Sequence, residues 1–335
     1  MNLGEIWEEL DQATPTRAVG TTWRRIYPEA TCNLFLVVRR PSGERMLAMV
    51  LSNAGDLVGT VLPGGRGIAV SLAAPGQLTE GYALQAVLLD SRFSDVFTAL
   101  VDDVAGTVAA AIDEAAGTVA FVQRLMRWQR FLEKGAESGL SRPMQQGLYG
   151  ELWFLQERLI AAAGAGPAIA AWTGPTCSAQ DFQIGGSAIE VKASMATQPQ
   201  RLTINSERQL DRAGLQVLFL FHISLDVRAG AGESLPDVVE RVRVSLHAEP
   251  GARDLFEDRL VQAGYLGTHA PRYADVGYVV RDVHLFRVTE HFPRIVEADL
   301  RAGVGDVRYS IGVSDCMPFL VEGPVLGIAV QGDRP

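Results

Sequence analysis

The sequence predicts an α/β protein: a compact α/β unit preceded by a β-rich N-terminal module. Three observations carry this expectation. Short apolar runs separated by turn residues occupy Thr31 to Leu89, and Ala-rich text of helical period follows from Phe93 to Glu133. Beyond Met144 the order is helix, strand, strand, helix, strand, as in a compact α/β unit.

In the first region strands are expected at Cys32 to Arg40, Met46 to Leu51, Gly67 to Ala73 and Tyr82 to Leu89, with a turn at Pro41-Ser42-Gly43. Val101, Val104, Val108, Ala111 and Ile112, then Val122, Leu125 and Trp128, recur at helical spacing, so Phe93 to Glu133 reads as a helical bridge. The second unit opens on a helix from Leu148 to Ala161, where Leu148, Leu152, Leu155 and Leu159 form one stripe and Gly164 to Pro167 terminate it. Strands at Asp181 to Ile184 and Ser187 to Ser194 flank Gly185-Gly186 and pair as a hairpin. A helix is expected around Glu207 to Ala213 and an apolar strand from Gln216 to Ile223. Helices at Leu235 to Leu246 and Ala252 to Ala263, with strands at Val276 to Val288 and Val307 to Val313, complete the chain. The domain expectation is a β-rich module over residues 1–120 and a second domain over 121–335.

Composition narrows the function classes. With 47% hydrophobic and 21% charged residues over 335 positions, disorder, collagen and coiled coil are excluded as the main architecture, and a soluble folded protein is expected. A net charge of -9 excludes a uniformly basic coat for nucleic acid or anionic lipid. Charge is uneven, however: residues 141–228 carry seven basic and seven acidic side chains, while both flanks are acidic, so the middle is least hostile to a polyanion. Cys32, Cys177 and Cys316 are far apart without CxxC spacing and read as reduced packing residues of a cytoplasmic protein. No export signal is visible at Met1 to Glu9, and no apolar run approaches the ~20 residues of a membrane span, so no membrane partner is expected.

The chemistry concentrates on the hairpin. Strand alternation puts Ile189, Val191 and Ala193 on one face and Glu190, Lys192 and Ser194 on the other. A carboxylate and an ammonium thus project together from a strand that otherwise looks buried, which is costly unless they are paired or bound to metal. The hairpin returns Asp181 toward Glu190, close enough for the two to share a hard cation such as Mg²⁺, with Lys192 beside the attacking water. Of thirty basic residues only Lys134 and Lys192 are Lys, the rest being Arg, and Lys134 lacks an acid two positions before it. A Lys retained against that bias is informative.

These residues resemble the PD-(D/E)XK nuclease superfamily, the restriction-endonuclease-like fold: Asp181, then Glu190-Val191-Lys192, on a hairpin after a helix containing Gly150-Glu151. The wider text Gly147-Leu148-Tyr149-Gly150-Glu151-Leu152-Trp153-Phe154-Leu155, Trp172-Thr173-Gly174-Pro175 and Ile189 to Ser194 is similar to a group of bacterial PD-(D/E)XK motif proteins associated with restriction or phage-defence clusters. The superfamily motif covers residues 145–225, and the closer group most of the chain. The resemblance implies a restriction-endonuclease-like mixed sheet flanked by helices, Asp181, Glu190 and Glu151 as ligands of Mg²⁺ or a substituting Mn²⁺, and Lys192 as the catalytic amine. It further implies DNA as substrate, with a partner ATPase or methyltransferase subunit or a homodimer as assembly options. Gln180 stands where the motif's Pro would precede Asp181.

Competing readings stay open at this level. Glu190 and Lys192 could form a solvated ion pair, and Glu151, at the edge of the leucine stripe, could pair with an Arg. Gln209, expected on the helix after the catalytic strand, is a candidate support for the site or a surface glutamine. Arg201, Arg208 and Arg212 are phosphate-contact candidates or a solvated face. The chain as a whole reads as a DNA nuclease, with a non-catalytic scaffold or DNA-recognition subunit as the alternative and an RNA nuclease as a third reading. His222, His247, His269, His284 and His291 lack zinc-hydrolase spacing. Gly64-Gly65-Arg66-Gly67 lacks a Walker ending and reads as a strand turn. Trp7, Trp23, Trp128, Trp153 and Trp172 read as core.

Overall fold

The apolar alternation of the first region builds an antiparallel sheet in the computed structural model, which describes residues 3–12, 20–60, 62–65, 67–133, 139–176, 178–195 and 199–321. Lys134, Cys177 and Arg66 lie outside the described residues. By compactness the chain divides into two units, Met1–Gly139 with Leu266–Thr268, and Leu140–Tyr265 with His269–Pro335.

The first unit holds α1 (Leu3–Gln12), β1 (Gly20–Ile26), β2 (Asn33–Arg40), β3 (Glu44–Leu51), β4 (Ile68–Ala73), β5 (Tyr82–Leu88), α2 (Ser94–Ala109) and α3 (Glu114–Glu133). Its strands run in the order β1-β2-β3-β5-β4, all antiparallel. Leu36 faces Leu47, and Leu34 faces Met49, itself opposite Leu84, so apolar side chains line one face. On α3, Gly117 keeps the helix close: a Cβ there would stand 3.2 Å from Met49 Cε and 3.4 Å from Val108 Cγ1. The expected helical bridge is two helices, broken between Ala109 and Glu114. No expectation covered α1 or β1, and β1, Gly-Thr-Thr-Trp-Arg-Arg-Ile, is an edge strand mostly exposed to water, which removes the apolar alternation that marks strands in sequence.

The second unit contains α4 (Arg142–Phe154), α5 (Ile160–Ala163), α6 (Ala165–Ala171), β6 (Phe182–Ile184), β7 (Ser187–Ser194), β8 (Arg201–Ile204), β9 (Val217–Ala229), β10 (Glu233–Ser234), α7 (Leu235–Ser245), α8 (Pro250–Ala263), β11 (Val276–Arg287), β12 (Tyr309–Gly312) and α9 (Val313–Cys316). Its main sheet is mixed, in the order β10-β11-β9-β7-β6, with β7 and β9 parallel and the other pairs antiparallel. One face, carrying Ile189, Val191, Phe219, Phe221 and Ile223, packs on helices through Leu148, Leu152, Ile169, Val238 and Phe256. The opposite face carries Ala188, Leu218, Leu220 and Phe286 under Leu202, Ile204 and Ile311 of the small β8–β12 sheet.

Two local expectations are corrected. The first helix passes through a π-turn at Leu155–Leu159 and ends at Gly164, after which Gly164 to Pro167 start α6 instead of only terminating. The segment Glu207 to Ala213 is a chain of turns, not a helix. Its amides are taken by Ser206 Oγ at Arg208 N and by Asp211 Oδ1 at Ala213 N, the local side-chain bonding by which Ser and Asp compete with helix formation. In addition, β8 had no sequence expectation, and among the described residues it pairs only with β12.

Candidate active site

The turn Gly185-Gly186 has φ of 57° and 79°, the left-handed pair that suits a two-residue hairpin and that glycine adopts without Cβ strain. It sets Phe182 opposite Ile189 and so carries Asp181 to the end where Glu190 lies. Asp181 Oδ2 accepts a hydrogen bond from Val191 N at 2.7 Å. Glu190 is 1% exposed, and Lys192 Nζ lies 2.7 Å from its Oε1. The Lys192 ammonium also donates to Gln209 Oε1 at 3.1 Å. The ion pair is therefore buried, not solvated.

Glu151 reaches the same cluster from α4 because Gly150 lets the helix press on the sheet: a Cβ at Gly150 would stand 3.2 Å from both Ala193 Cβ and Ile223 Cγ2. Trp172 Nε1 donates to Glu151 Oε2 at 2.8 Å. The following loop is fixed by Thr173 N and Gly174 N, which donate to Asp181 O at 2.8 and 2.9 Å. A Cβ on Gly174 would stand 2.9 Å from Asp181 Oδ1 and 3.3 Å from Glu151 Oε2, so the two carboxylates converge on one small space that only glycine leaves open.

Three carboxylates thus face one ammonium in a poorly solvated place. Burial, then repulsion from Asp181, holds Glu151 well above the usual carboxylate range, against the opposing Trp172 hydrogen bond. Burial also raises Asp181, while Lys192 and the Val191 amide pull it back. Glu190 is pushed up to about 8 by burial and by Asp181, against Lys192. Burial pulls Lys192 down, but Glu190, Asp181 and Glu151 more than offset it and raise it.

The donor set fits a hard divalent cation. It is all oxygen, it carries excess negative charge, and both buried oxygens of Glu190 lack a well-directed hydrogen bond. Among the described residues no group of three or more His, Cys, Asp or Glu side chains is already placed to hold a metal ion, and Mg²⁺ is an ion usually held by one or two carboxylates and several waters.

Of the other candidates, Gln209 is brought to Lys192, from a turn instead of a helix, and its Oε1 also accepts from Asn205 N at 2.8 Å. Arg201 donates to Ser310 Oγ, and Arg208 pairs with Glu297 at 3.7 Å on the surface. Sequence reasoning placed Trp172 in the core and missed its hydrogen bond to Glu151, although the run Trp172-Thr173-Gly174-Pro175 was its signal. His222 was also missed. It stands opposite Lys192 in the parallel register, bonds Ser194 Oγ at 2.8 Å and meets His284 at 3.4 Å, and burial and the His284 charge push it down to about 4.

No helix among the described residues is long and apolar enough to cross a membrane. No curated protein and no solved structure matches the chain at a significant level. The family model described as "Putative PD-(D/E)XK family member, (DUF4420)" matches residues 3–314, nearly the whole chain, and the chain belongs to that family.

Proposed function

We propose that this protein is a divalent-metal-dependent phosphodiesterase that cuts DNA, the cytoplasmic nuclease component of a bacterial restriction or phage-defence system. PD-(D/E)XK proteins are generally nucleases that use divalent metals. The observation that carries the reading is the buried Asp181–Glu190–Lys192 constellation with Glu151 at its edge. Asp181, Glu190 and Glu151 would hold Mg²⁺, which when bound supplies Lewis-acid polarisation of the scissile phosphate. Lys192 presents its ammonium where an attacking water and a phosphate oxygen would lie, offsetting charge as it develops. The sheet and α4 exclude bulk water from Glu190, which strengthens that interaction.

The test is cleavage of plasmid, linear and single-stranded DNA and of RNA with Mg²⁺ or Mn²⁺, beside Lys192→Ala protein. Metal-dependent cleavage of DNA by the wild type and its loss in the variant support the proposal. Equal, residual cleavage by both proteins, or none with any metal, would refute it and favour the non-catalytic scaffold.

A further inference from the structure

We propose that Gln180 is a positioning residue that ties the strand bearing Asp181 to the turn bearing Gln209, and through it fixes the Lys192 ammonium. The inference rests on the nuclease reading for its kinetic consequence but not for its geometry. Gln180 is 5% exposed, an uncommon place for an amide unless it is bonded. Its Nε2 donates to Arg208 O at 2.9 Å and to Gln209 O at 3.4 Å, and its Oε1 accepts from Gln183 Nε2 at 3.2 Å. Facing two carbonyls, the nitrogen end has a role that a carboxylate or an aliphatic chain cannot perform.

The flanks of that turn are held separately: Val307 N donates to Glu207 Oε2 at 2.9 Å, and Arg294 Nη1 to Leu210 O at 2.7 Å. Gln180 secures the two residues between them. Gln209 then spends its own Oε1 on Asn205 N and on Lys192 Nζ. A continuous path therefore runs from the residue before Asp181, through the Arg208–Gln209 backbone, to the ammonium that pairs with Glu190. Displacing the turn releases one of the partners that aim Lys192, because a buried ammonium takes the geometry its acceptors dictate. Gln180 touches neither a substrate phosphate nor a reacting atom on this geometry; it acts through Gln209.

Two lysines in 335 residues make the test direct. Lysine-selective ¹³C labelling gives two side-chain ε-methylene signals, and the one lost in Lys192→Arg is Lys192. In metal-free protein, Gln180→Met and Gln180→Asn, the second keeping the amide but shortening its reach, should both move the Lys192 signal in the direction produced by Gln209→Ala, leaving the Lys134 signal in place. With Mg²⁺ and DNA, kcat should fall about ten-fold with KM unchanged, the cost of misplacing a group acting in the transition state. A Lys192 signal at its wild-type position in whichever Gln180 variant folds, or one that Gln209→Ala fails to move, overturns the proposal. Should the wild type cleave nothing, the nuclease reading fails while the resonance experiment still decides the coupling.

Discussion

Replacing Glu190 by Gln should make the metal-free protein more stable, although it removes a residue assigned to the active site. Burial and the Asp181 charge raise Glu190 from 4.5 to about 8, which at ~1.4 kcal/mol per pH unit is a penalty of roughly 4–5 kcal/mol for its charged form. The sign follows from linkage. A carboxyl whose folded pKa is raised keeps its proton in the native state while the unfolded chain loses it, so stability falls as pH climbs from 4.5 toward 8. Neutralising Glu190 also relieves Glu151, but it takes from the buried Lys192 ammonium the attraction of its neighbouring charge, so the net gain at pH 8 should be about 2–3 kcal/mol. For a unit of this size that is ~5–10 °C in melting temperature. The assay is thermal unfolding in EDTA at pH 8 and again near pH 4.5, where the difference should close. Added Mg²⁺ should then raise the wild-type melting temperature at pH 8 and leave Glu190→Gln unmoved. A variant less stable than wild type at pH 8, by the same margin as at pH 4.5, would show that Glu190 is an ordinary satisfied ion-pair partner and refute the reasoning.

Lys192→Arg should abolish cleavage almost as fully as Lys192→Ala, a loss of ~10²-fold or more, because a planar guanidinium cannot occupy the space of a compact ammonium beside Glu190; Lys134→Arg, assayed in parallel, should be silent. Gly174→Ala places a methyl 2.9 Å from Asp181 Oδ1, and calorimetry should show Mg²⁺ affinity weakened by about ten-fold or more with the circular-dichroism spectrum unchanged. Trp172→Phe removes the donor that lowers Glu151, so Glu151 titrates higher still and the pH dependence of Mg²⁺ binding should move to more alkaline values; a curve at the wild-type position would detach Glu151 from the site. Burial pushes the Cys316 thiol up to about 12, so iodoacetamide should leave it unmodified at pH 8 until the protein unfolds.

Much of this protein was legible from local pattern. The strand Ser187 to Ser194 coincides with β7 because period-two alternation is a property of neighbouring residues, and Gly185-Gly186 announces its own turn through a backbone that only glycine adopts cheaply. The same alternation placed Glu190 and Lys192 on one face, and the scarcity of Lys singled out Lys192. The Glu207 to Ala213 segment failed for two reasons: Ser206 and Asp211 take its amides locally, a competition that helical composition hides, and the further bonds on its carbonyls come from Gln180, some thirty residues upstream, and from Arg294, far downstream. Likewise no local signal says that Trp172 aims Glu151, that Gly174 opens the space between two carboxylates, or that His222 stands across from Lys192. Such facts depend on which strands become neighbours and how closely α4 approaches the sheet, and long-range packing settles both. The residue types of the chemistry are written along the chain, whereas their convergence, and the burial that perturbs Glu190, exist only after the layers have closed.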